Sequence, residues 1–434
     1  MKAVIMAGGK GTRLHDLTGD TIPKPLVSVA GKPILEWQLD CLRRNGIVDI
    51  CVIVGHLGEK IQNYFGDGGK FGVSICYYME NSPMGTAGAL AHIREFLTEP
   101  YYLLVFGDTV FDIDIKKMEE FHKRKKSFAT LFAHPNSHPY DSDLLLLDSD
   151  ERVSGFDSKK NTRTYWYDNI VNAGLYILPC EITELIPQER KTDLEKDVLF
   201  ANYEKHRMYG YRSPEYIKDV GTIDRIQQAE IDILSGVVAA KNISKRQRCI
   251  FLDRDGTINK YRGLIYNHNE FKLEDTAAEA IRMINKSSFL AVVASNQPVV
   301  ARGLCGVEDV ELIHRKMKTL LGGEGAYLDL VEYCPHHPDK GYPDENPQYK
   351  IPCDCRKPGT GMITKAALQM NIDVSRSWMI GDTTRDIQTA KNVGMRSILV
   401  QTGESGLDGQ YIVESDVVCN NILEAVQYIL KVGD

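Results

Sequence analysis

The chain has 434 residues, 43% of them hydrophobic and 26% charged, with a formal net charge of -7. That length predicts two or three domains, each able to bury its own core. The acidic balance and the lack of any apolar run of membrane-spanning length exclude nucleic acid or a membrane as a general partner. No segment reads as a signal peptide, so a cytoplasmic location is expected.

The first half alternates apolar runs with amphipathic stretches. "AVIMAG", "DICVIVGH", "VSICYYM", "YYLLVFGD", "SFATLFA" and "YDNIVNAGLYIL" read as strands. "ILEWQLDCLRRNG" and "TAGALAHIREFL" read as helices, the first closed by Gly46. "DIKKMEEF" and the basic run from His122 to Lys126 read as one amphipathic helix with a solvated end, not as a nucleic-acid patch. This alternation predicts an α/β fold, a mostly parallel sheet flanked by helices. "GTIDRIQQAEIDILSG" predicts a helix that closes the first domain at residue 236, and residues 237–248 read as a linker.

Directly after the first strand stands "GGKGTRL". Gly8, Gly9 and Gly11 let the backbone approach a ligand, so that free N–H groups can cradle phosphate oxygens, and Arg13 adds a bidentate cation. The segment lacks the G-K-[ST] ending of a Walker loop and does not follow the dinucleotide G-x-G-x-x-G pattern. Lys24 is fixed between two prolines in "IPKPL" and reads as a phosphate contact. Asp108 ends the strand of "FGD" and Asp219 lies in "KDVGT". Two such carboxylates can hold one Mg²⁺ against nucleotide phosphates, although each alone would read as a helix cap.

The second half, 249–434, restarts the alternation. "RCIFLD", "FLAVVASN", "SWMIGD" and "GMRSILVQTG" read as strands, and "TAAEAIRMINKSS" and "TKAALQMN" as helices. Ligands of open α/β sheets sit at the carboxyl ends of strands, so Asp253, Ser295 and Asp382 should converge. In "DRDGT", Asp253 can attack phosphorus, and Asp255 can protonate the leaving alkoxide and then activate water. Ser295 and Asn296 can hold phosphoryl oxygens, and Lys357 supplies positive charge. Asp382 and Asp386 complete an acidic Mg²⁺ site with Asp253 and Asp255.

Ten cysteines in a long chain of this kind argue against a disulfide framework. Seven are scattered and read mostly as small buried hydrophobes. Cys334, Cys353 and Cys355 cluster in "YCPHHPD" and "CDCRKPG". With one histidine they make a closed, structural tetrahedral Zn²⁺ set; the C-x-C spacing argues against a redox C-x-x-C dithiol. Spacing alone leaves both His336 and His337 open as the fourth ligand.

In order, "MAGGKGTRL", "PKPL", "GKPILEWQL", "GTAGAL", "FGD", "VNAGLYIL" and "KDVGT" resemble the sugar-1-phosphate nucleotidyltransferases, over most of residues 1–235. The resemblance implies attack of a sugar-1-phosphate oxygen on the α-phosphate of an NTP, with pyrophosphate leaving. It implies Asp108 and Asp219 as metal ligands and Arg13 and Lys24 on the triphosphate. The backbone at Gly85 and Thr86 would face the base, Asn172 the sugar, and Lys159 the sugar phosphate. At Lys159 the family's Glu-Lys-Pro is replaced by Ser-Lys-Lys.

The second half, in "FLDRDGTIN", "SNQ…ARG", "CPHHP", "CDCRKPGTGM" and "GDTTRDIQTA", resembles the haloacid-dehalogenase-type phosphatases, nearest to the histidinol-phosphate and heptose-bisphosphate branch. That resemblance favours His336 as zinc ligand and puts Arg302 and Arg356 near substrate phosphate. One departure stands out: Asn296-Gln297-Pro298-Val299 replaces the family's Asn-Gln-Ser-Gly. Both resemblances together imply two Rossmann-like domains acting on small molecules in succession. A heptose 1,7-bisphosphate would lose its 7-phosphate, and the heptose 1-phosphate would then be joined to a nucleotide, GMP by resemblance. The alternatives are other sugars, a histidinol-phosphate substrate, or one half serving only as a binding module. Homo-oligomerisation is left open.

Overall fold

The computed structural model describes residues 1–9, 14, 19, 21–187 and 190–433. The chain forms two compact units. The first comprises Met1–His134, Asp143–Ser158 and Val171–Asn242, and the second Pro135–Ser142, Lys159–Ile170 and Ile243–Asp434.

In the first unit β1 (Ala3–Ala7) is flanked in parallel by β2 (Asp49–Val54) and β4 (Tyr101–Phe106), and β3 (Ser74–Met79) adds beyond β2. All five residues of β1 are apolar, as a strand covered on both faces requires. The order of the nine-stranded sheet continues through β9 (Val171–Pro179), which runs antiparallel to β4. The parallel core lies around β1, and the other flank is mixed: its pairings are antiparallel except that Met208–Arg212 runs parallel to Ala129–His134. A short antiparallel pair, β5 (Thr109–Asp112) with β11 (Tyr216–Asp219), sets Asp219 opposite Thr109.

Helix α1 (Ile34–Arg44) buries Ile34, Leu35, Gln38, Leu39 and Leu42, a stripe with helical spacing, and Gly46 at φ +80° turns the chain just past its end. The expected helix over "TAGALAHIREFL" is only a short 3₁₀ turn, Gly88–His92. Tertiary bonds override the periodicity there: Ala87 N donates to the Thr192 carbonyl (3.0 Å) and Leu194 N to the Thr86 hydroxyl (2.8 Å).

The second unit holds a six-stranded, fully parallel sheet. Around β12 (Arg248–Leu252) stand β13 (Phe289–Asn296) and β15 (Trp378–Gly381). β14 (Leu330–Cys334) lies beyond β13, and β16 (Arg396–Val400) and β17 (Val417–Cys419) beyond β15. The three central strands deliver Asp253, Ser295 and Asp382 from their carboxyl ends to one side of the sheet. Among the described residues no helix is long and apolar enough to cross a membrane.

Candidate active sites

A cavity of about 440 Å³ opens at the carboxyl ends of β1 and β4 in the first unit, with Gly8, Gly9, Lys24, Gly85, Thr86 and Asp108 in its wall. Gly11 and Arg13 lie outside the described residues. Lys24 Nζ donates to Asp108 Oδ2 (2.7 Å). The Asp108 carbonyl accepts from Val220 N (2.8 Å), so Asp108 and Asp219 are stitched together by backbone. Arg225 grips both oxygens of Asp219. Burial pushes that carboxyl up, but the Arg225 hydrogen bond and charge, helped by Lys24, bring it below the usual carboxylate range. Two anionic oxygen donors at adjoining strand ends are a hard donor set, the chemistry a divalent cation such as Mg²⁺ takes.

Gly85 must be glycine: its φ is +84°, and a Cβ there would stand 2.3 Å from the Thr192 carbonyl oxygen. Asn172 lies at the start of β9, where its Nδ2 donates to Tyr176 Oη (2.7 Å) and Glu195 Oε1 (2.8 Å). Its Oδ1 is buried with no hydrogen-bond partner, an acceptor left for a donor such as a sugar hydroxyl. Lys159 belongs to the second compact unit, where it pairs with Asp141 (3.5 Å).

The second unit carries a cavity of about 680 Å³ over the carboxyl ends of its central strands, lined by Asp253, Asp255, Ser295, Asn296, Lys357 and Asp382 among others. Lys357 is the buried hub. Its ammonium donates to Asp253 Oδ1 (2.6 Å) and to Asp386. Asp253, Asp382 and Asp386 bring carboxylate oxygens within 4.8 Å of one another. Burial, opposed by Lys357 and aided by the neighbouring carboxylates, pushes Asp253 up to about 6. Burial and the charges of Asp253 and Asp386 push Asp382 up to about 9.

Asp382 is fully buried, and its Oδ1 has no hydrogen-bond partner. The other oxygen is wedged against two glycines: a Cβ on Gly256 would meet it at 2.2 Å and one on Gly403 at 2.0 Å. A buried, orphaned carboxylate oxygen beside two further carboxylates fits a divalent cation, which would neutralise the cluster.

Asp255 is held from several sides. Arg254, fully buried, donates to both of its oxygens (2.9 and 3.0 Å), Gln297 Nε2 to Oδ2 (2.8 Å) and Asn259 Nδ2 to Oδ1 (3.1 Å). Gln297 also reaches Ser295 Oγ (2.9 Å). Asn296 does a different job from the one expected of it. While lining the cavity, its amide exchanges hydrogen bonds with the backbone of Lys357 (2.9 and 3.1 Å), so it positions the lysine. The Pro298-Val299 departure is absorbed by packing: Val299 and Val300 are buried against Val310.

Arg356 and Arg302 line the same cavity. His337 sits 3.3 Å from Arg302, which decides between the two histidines: His336 Nδ1 is the one 3.3 Å from Cys355 Sγ. The sulfurs of Cys334, Cys353 and Cys355 are 3.1–3.5 Å apart. That is near the ~3.8 Å edge of a tetrahedron with metal–sulfur bonds of about 2.3 Å. Three thiols and an imidazole thus lie close enough together to hold one metal ion.

The nucleotidyl transferase family profile matches residues 2–236, and a HAD-hydrolase-like profile matches 354–425. The chain belongs to the nucleotidyl transferase family. A D-glycero-alpha-D-manno-heptose 1-phosphate guanylyltransferase from Aneurinibacillus thermoaerophilus is 31% identical over 54% of this chain and 98% of its own length. For the second half, a D-glycero-beta-D-manno-heptose-1,7-bisphosphate 7-phosphatase from Haemophilus ducreyi is 31% identical over 42% of this chain and 98% of its own length. A Synechocystis UTP–glucose-1-phosphate uridylyltransferase is 33% identical over 46% of this chain, which spans only 54% of that relative. The chain is thus a transferase joined to a phosphoester hydrolase of the HAD type.

Sequence reasoning missed several residues of both halves. Arg254 and Gln297 lie inside the quoted phosphatase motifs, but only packing shows that they grip Asp255. Glu195, in "TDLEKDV", is half-buried and joined to Tyr176 (2.6 Å) and Asn172; desolvation raises its carboxyl. Arg225, six residues after Asp219, reads from sequence as an exposed helical arginine.

Proposed function

We propose that the chain catalyses two successive steps on one sugar: hydrolysis of the 7-phosphate of D-glycero-D-manno-heptose 1,7-bisphosphate, then transfer of GMP from GTP to the heptose 1-phosphate. The products are phosphate, pyrophosphate and GDP-heptose. The observation that carries this reading is the presence of two separately built phosphate sites on one chain, each with a relative named for a heptose phosphate. The transferase lies within residues 1–242 and the phosphatase within 243–434, except that 135–142 and 159–170 belong to the second unit, so the expected boundaries at 236 and 249 hold only roughly. Use of GTP and sugar phosphates places the work in the cytoplasm.

In the phosphatase, Lys357 occupies Asp253 Oδ1, leaving Oδ2 to attack the distal phosphorus. The P–O bond to the sugar breaks as the Asp253–phosphorus bond forms, and Asp255 gives its proton to the leaving alkoxide. Asp255 then takes a proton from water, which attacks the same phosphorus and releases phosphate. Arg254 and Gln297 keep Asp255 aimed throughout, and Ser295 holds a phosphoryl oxygen. Mg²⁺ held by Asp253 and Asp382 would supply charge neutralisation for the phosphoryl group.

In the transferase, Lys24 and Arg13 neutralise the triphosphate, and the glycine loop brings backbone N–H groups to it. Asp108 and Asp219 would hold Mg²⁺ there. Asn172 faces the sugar; Lys159, which belongs to the second unit and pairs with Asp141, is not assigned to its phosphate. Zinc on Cys334, His336, Cys353 and Cys355 would order the loop beside Arg356.

The test is a product assay with both anomers of heptose 1,7-bisphosphate, Mg²⁺ and each NTP in turn. Phosphate release followed by GDP-heptose is expected. Faster release from histidinol phosphate, or no nucleotide sugar with GTP, would refute the reading.

A further inference from the structure

One polar side chain interrupts the apolar stripe of helix α2 (Val307–Gly323). Val310, Ile313, Met317 and Leu321 recur at helical spacing and are buried. His314 lies on the same stripe and is only 1% exposed. Its ring meets that of Tyr333 on β14 in a T-shaped contact, with centroids 4.9 Å apart. Tyr333 is itself tied back to α2, where its Oη donates to Glu311 Oε1 (2.8 Å). The imidazole is thus fixed in direction by the strand next to β13.

Its Nε2 lies 3.3 Å from Arg254 Nη1. A guanidinium has donors and no acceptor, so Arg254 donates and Nε2 accepts. The proton of the neutral imidazole must then sit on Nδ1. That atom is buried and has no hydrogen-bond partner among the described residues. An unmet buried donor costs stability, and a phenylalanine or leucine at this position would avoid the cost. The histidine therefore serves Arg254 rather than the core. Burial and the Arg254 charge hold the imidazole well below its usual range, so it stays a neutral acceptor.

Arg254 is fully buried, and each of its nitrogens is engaged. Nε and Nη2 reach Asp255, Nη2 also reaches Gln297 Oε1 (2.8 Å), and Nη1 reaches His314. A planar fork held at all three nitrogens cannot turn, whereas one released at Nη1 can. The Asp255 carboxylate takes its direction from the fork that grips it.

We propose that His314 is a positioning residue of the phosphatase, whose Nε2 fixes the Arg254 fork and, through it, the aim of Asp255. This rests on the acid role given to Asp255 above. It adds a support built from α2 and β14, outside the strand ends that carry the reacting groups.

The test compares two phosphate monoesters on the full-length protein. Heptose 1,7-bisphosphate releases an alkoxide that needs the Asp255 proton, whereas p-nitrophenyl phosphate releases a phenolate stable enough to leave without one. In both, kcat/KM reads the phosphorylation of Asp253. His314→Phe keeps a ring against Tyr333 and removes the acceptor; His314→Gln keeps an acceptor at the reach of Nε2. His314→Phe should lower kcat/KM for the bisphosphate about 10–100-fold, through kcat and not KM. For p-nitrophenyl phosphate the change should stay within about 3-fold. His314→Gln should bring the bisphosphate rate back to within about 5-fold of the wild type.

An equal fall on both substrates, no fall on either, or a Gln variant as slow as the Phe variant overturns the proposal. Asp255→Asn separates it from the reading beneath it. If that variant slows both substrates alike, the acid role of Asp255 falls and His314 falls with it. If it slows the bisphosphate selectively and His314→Phe does not, His314 alone falls. Nitrogen NMR of labelled histidines in the wild type and His314→Gln decides even if His314→Phe does not fold or the wild type rejects the bisphosphate. The ring missing from the variant should be protonated at Nδ1; protonation at Nε2 overturns the proposal.

Discussion

Replacing Lys357 by methionine removes the one ammonium that joins two buried carboxylates while keeping a side chain of similar reach. In the wild type its Nζ lies 2.6 Å from Asp253 Oδ1 and also bonds Asp386, and both acidic side chains are nearly inaccessible. At an effective dielectric of about 20, each such contact is worth roughly 6 kcal/mol of Coulomb attraction. Desolvation of the ammonium offsets several kcal/mol of that, and breaking a buried pair from one side costs about 3–5 kcal/mol net. Without added metal, the transition of the second unit should therefore fall by roughly 6–20 °C at pH 8.

The sign of the pH dependence makes the argument sharper. Asp253 is already raised to about 6 and Asp382 to about 9 in the folded state, both above the ordinary aspartate value. Their contribution to stability is fully present below pH ~4 and is lost as pH rises through these values. Without Lys357, which opposes both shifts, the loss on raising pH grows. Scanning calorimetry in EDTA at pH 5 and pH 8 measures it. The variant's deficit should be small at pH 5 and large at pH 8. Equal melting of variant and wild type at pH 8, or a deficit that does not shrink on acidification, would refute the account of Lys357 as the buried counter-ion.

Three further outcomes are expected. With heptose 1,7-bisphosphate for phosphate release and heptose 1-phosphate for nucleotide-sugar formation assayed separately, Asp108→Asn should abolish the second and spare the first, while Asp253→Asn does the reverse; a variant that silenced both would show that the two sites are not independent. Gln297→Leu frees Asp255 from one of its donors and Ser295 from a side-chain partner, and should lower kcat for phosphate release about 10–100-fold with little change in KM; an unchanged kcat would remove Gln297 from the site. Chelation of zinc, followed by dye titration of the released ion, should lower phosphatase activity and open residues 337–352 to proteolysis; full activity after complete removal would show that the Cys/His group does not support the site.

What the sequence disclosed depended on where each group sits relative to the chain's own regularities. Asp108, Asp253, Ser295 and Asp382 were legible because each ends a run of strand residues or begins the turn after one, and topology sends such ends to a common edge. The cluster of Cys334, Cys353 and Cys355 was legible because their spacing is local. Gln297 and Arg254 were not singled out, since their roles arise from partners far away or from burial. Arg254 looks like an exposed arginine between two aspartates until packing against Gln297 and His314 shows it to be fully inaccessible. Asn296 and Gln297 have nearly equal chemistry, and only the direction of the loop after β13 assigns one to Lys357 and the other to Asp255. The helix read over "TAGALAHIREFL" failed for the same reason: Thr192, about a hundred residues away, holds Ala87 in another conformation.

The two acidic sites solve the problem of gathering negative charge in opposite ways, and this has a measurable consequence. In the transferase, Asp219 is already matched by Arg225 and influenced by Lys24, so its carboxyl lies below the usual range and a metal must displace a cation. In the phosphatase, three carboxylates share one lysine, two of them are raised, and a metal must displace protons. Mg²⁺ affinity of the phosphatase should therefore fall on acidification from pH 8 to pH 6, with Asp382 taking up the proton, whereas that of the transferase should change little over the same range. Mg²⁺ titrations of the two activities on the same preparation give both curves. Parallel curves would mean that protonation of Asp382 does not compete with the metal, and the reading of its orphaned oxygen as a metal ligand would have to be abandoned.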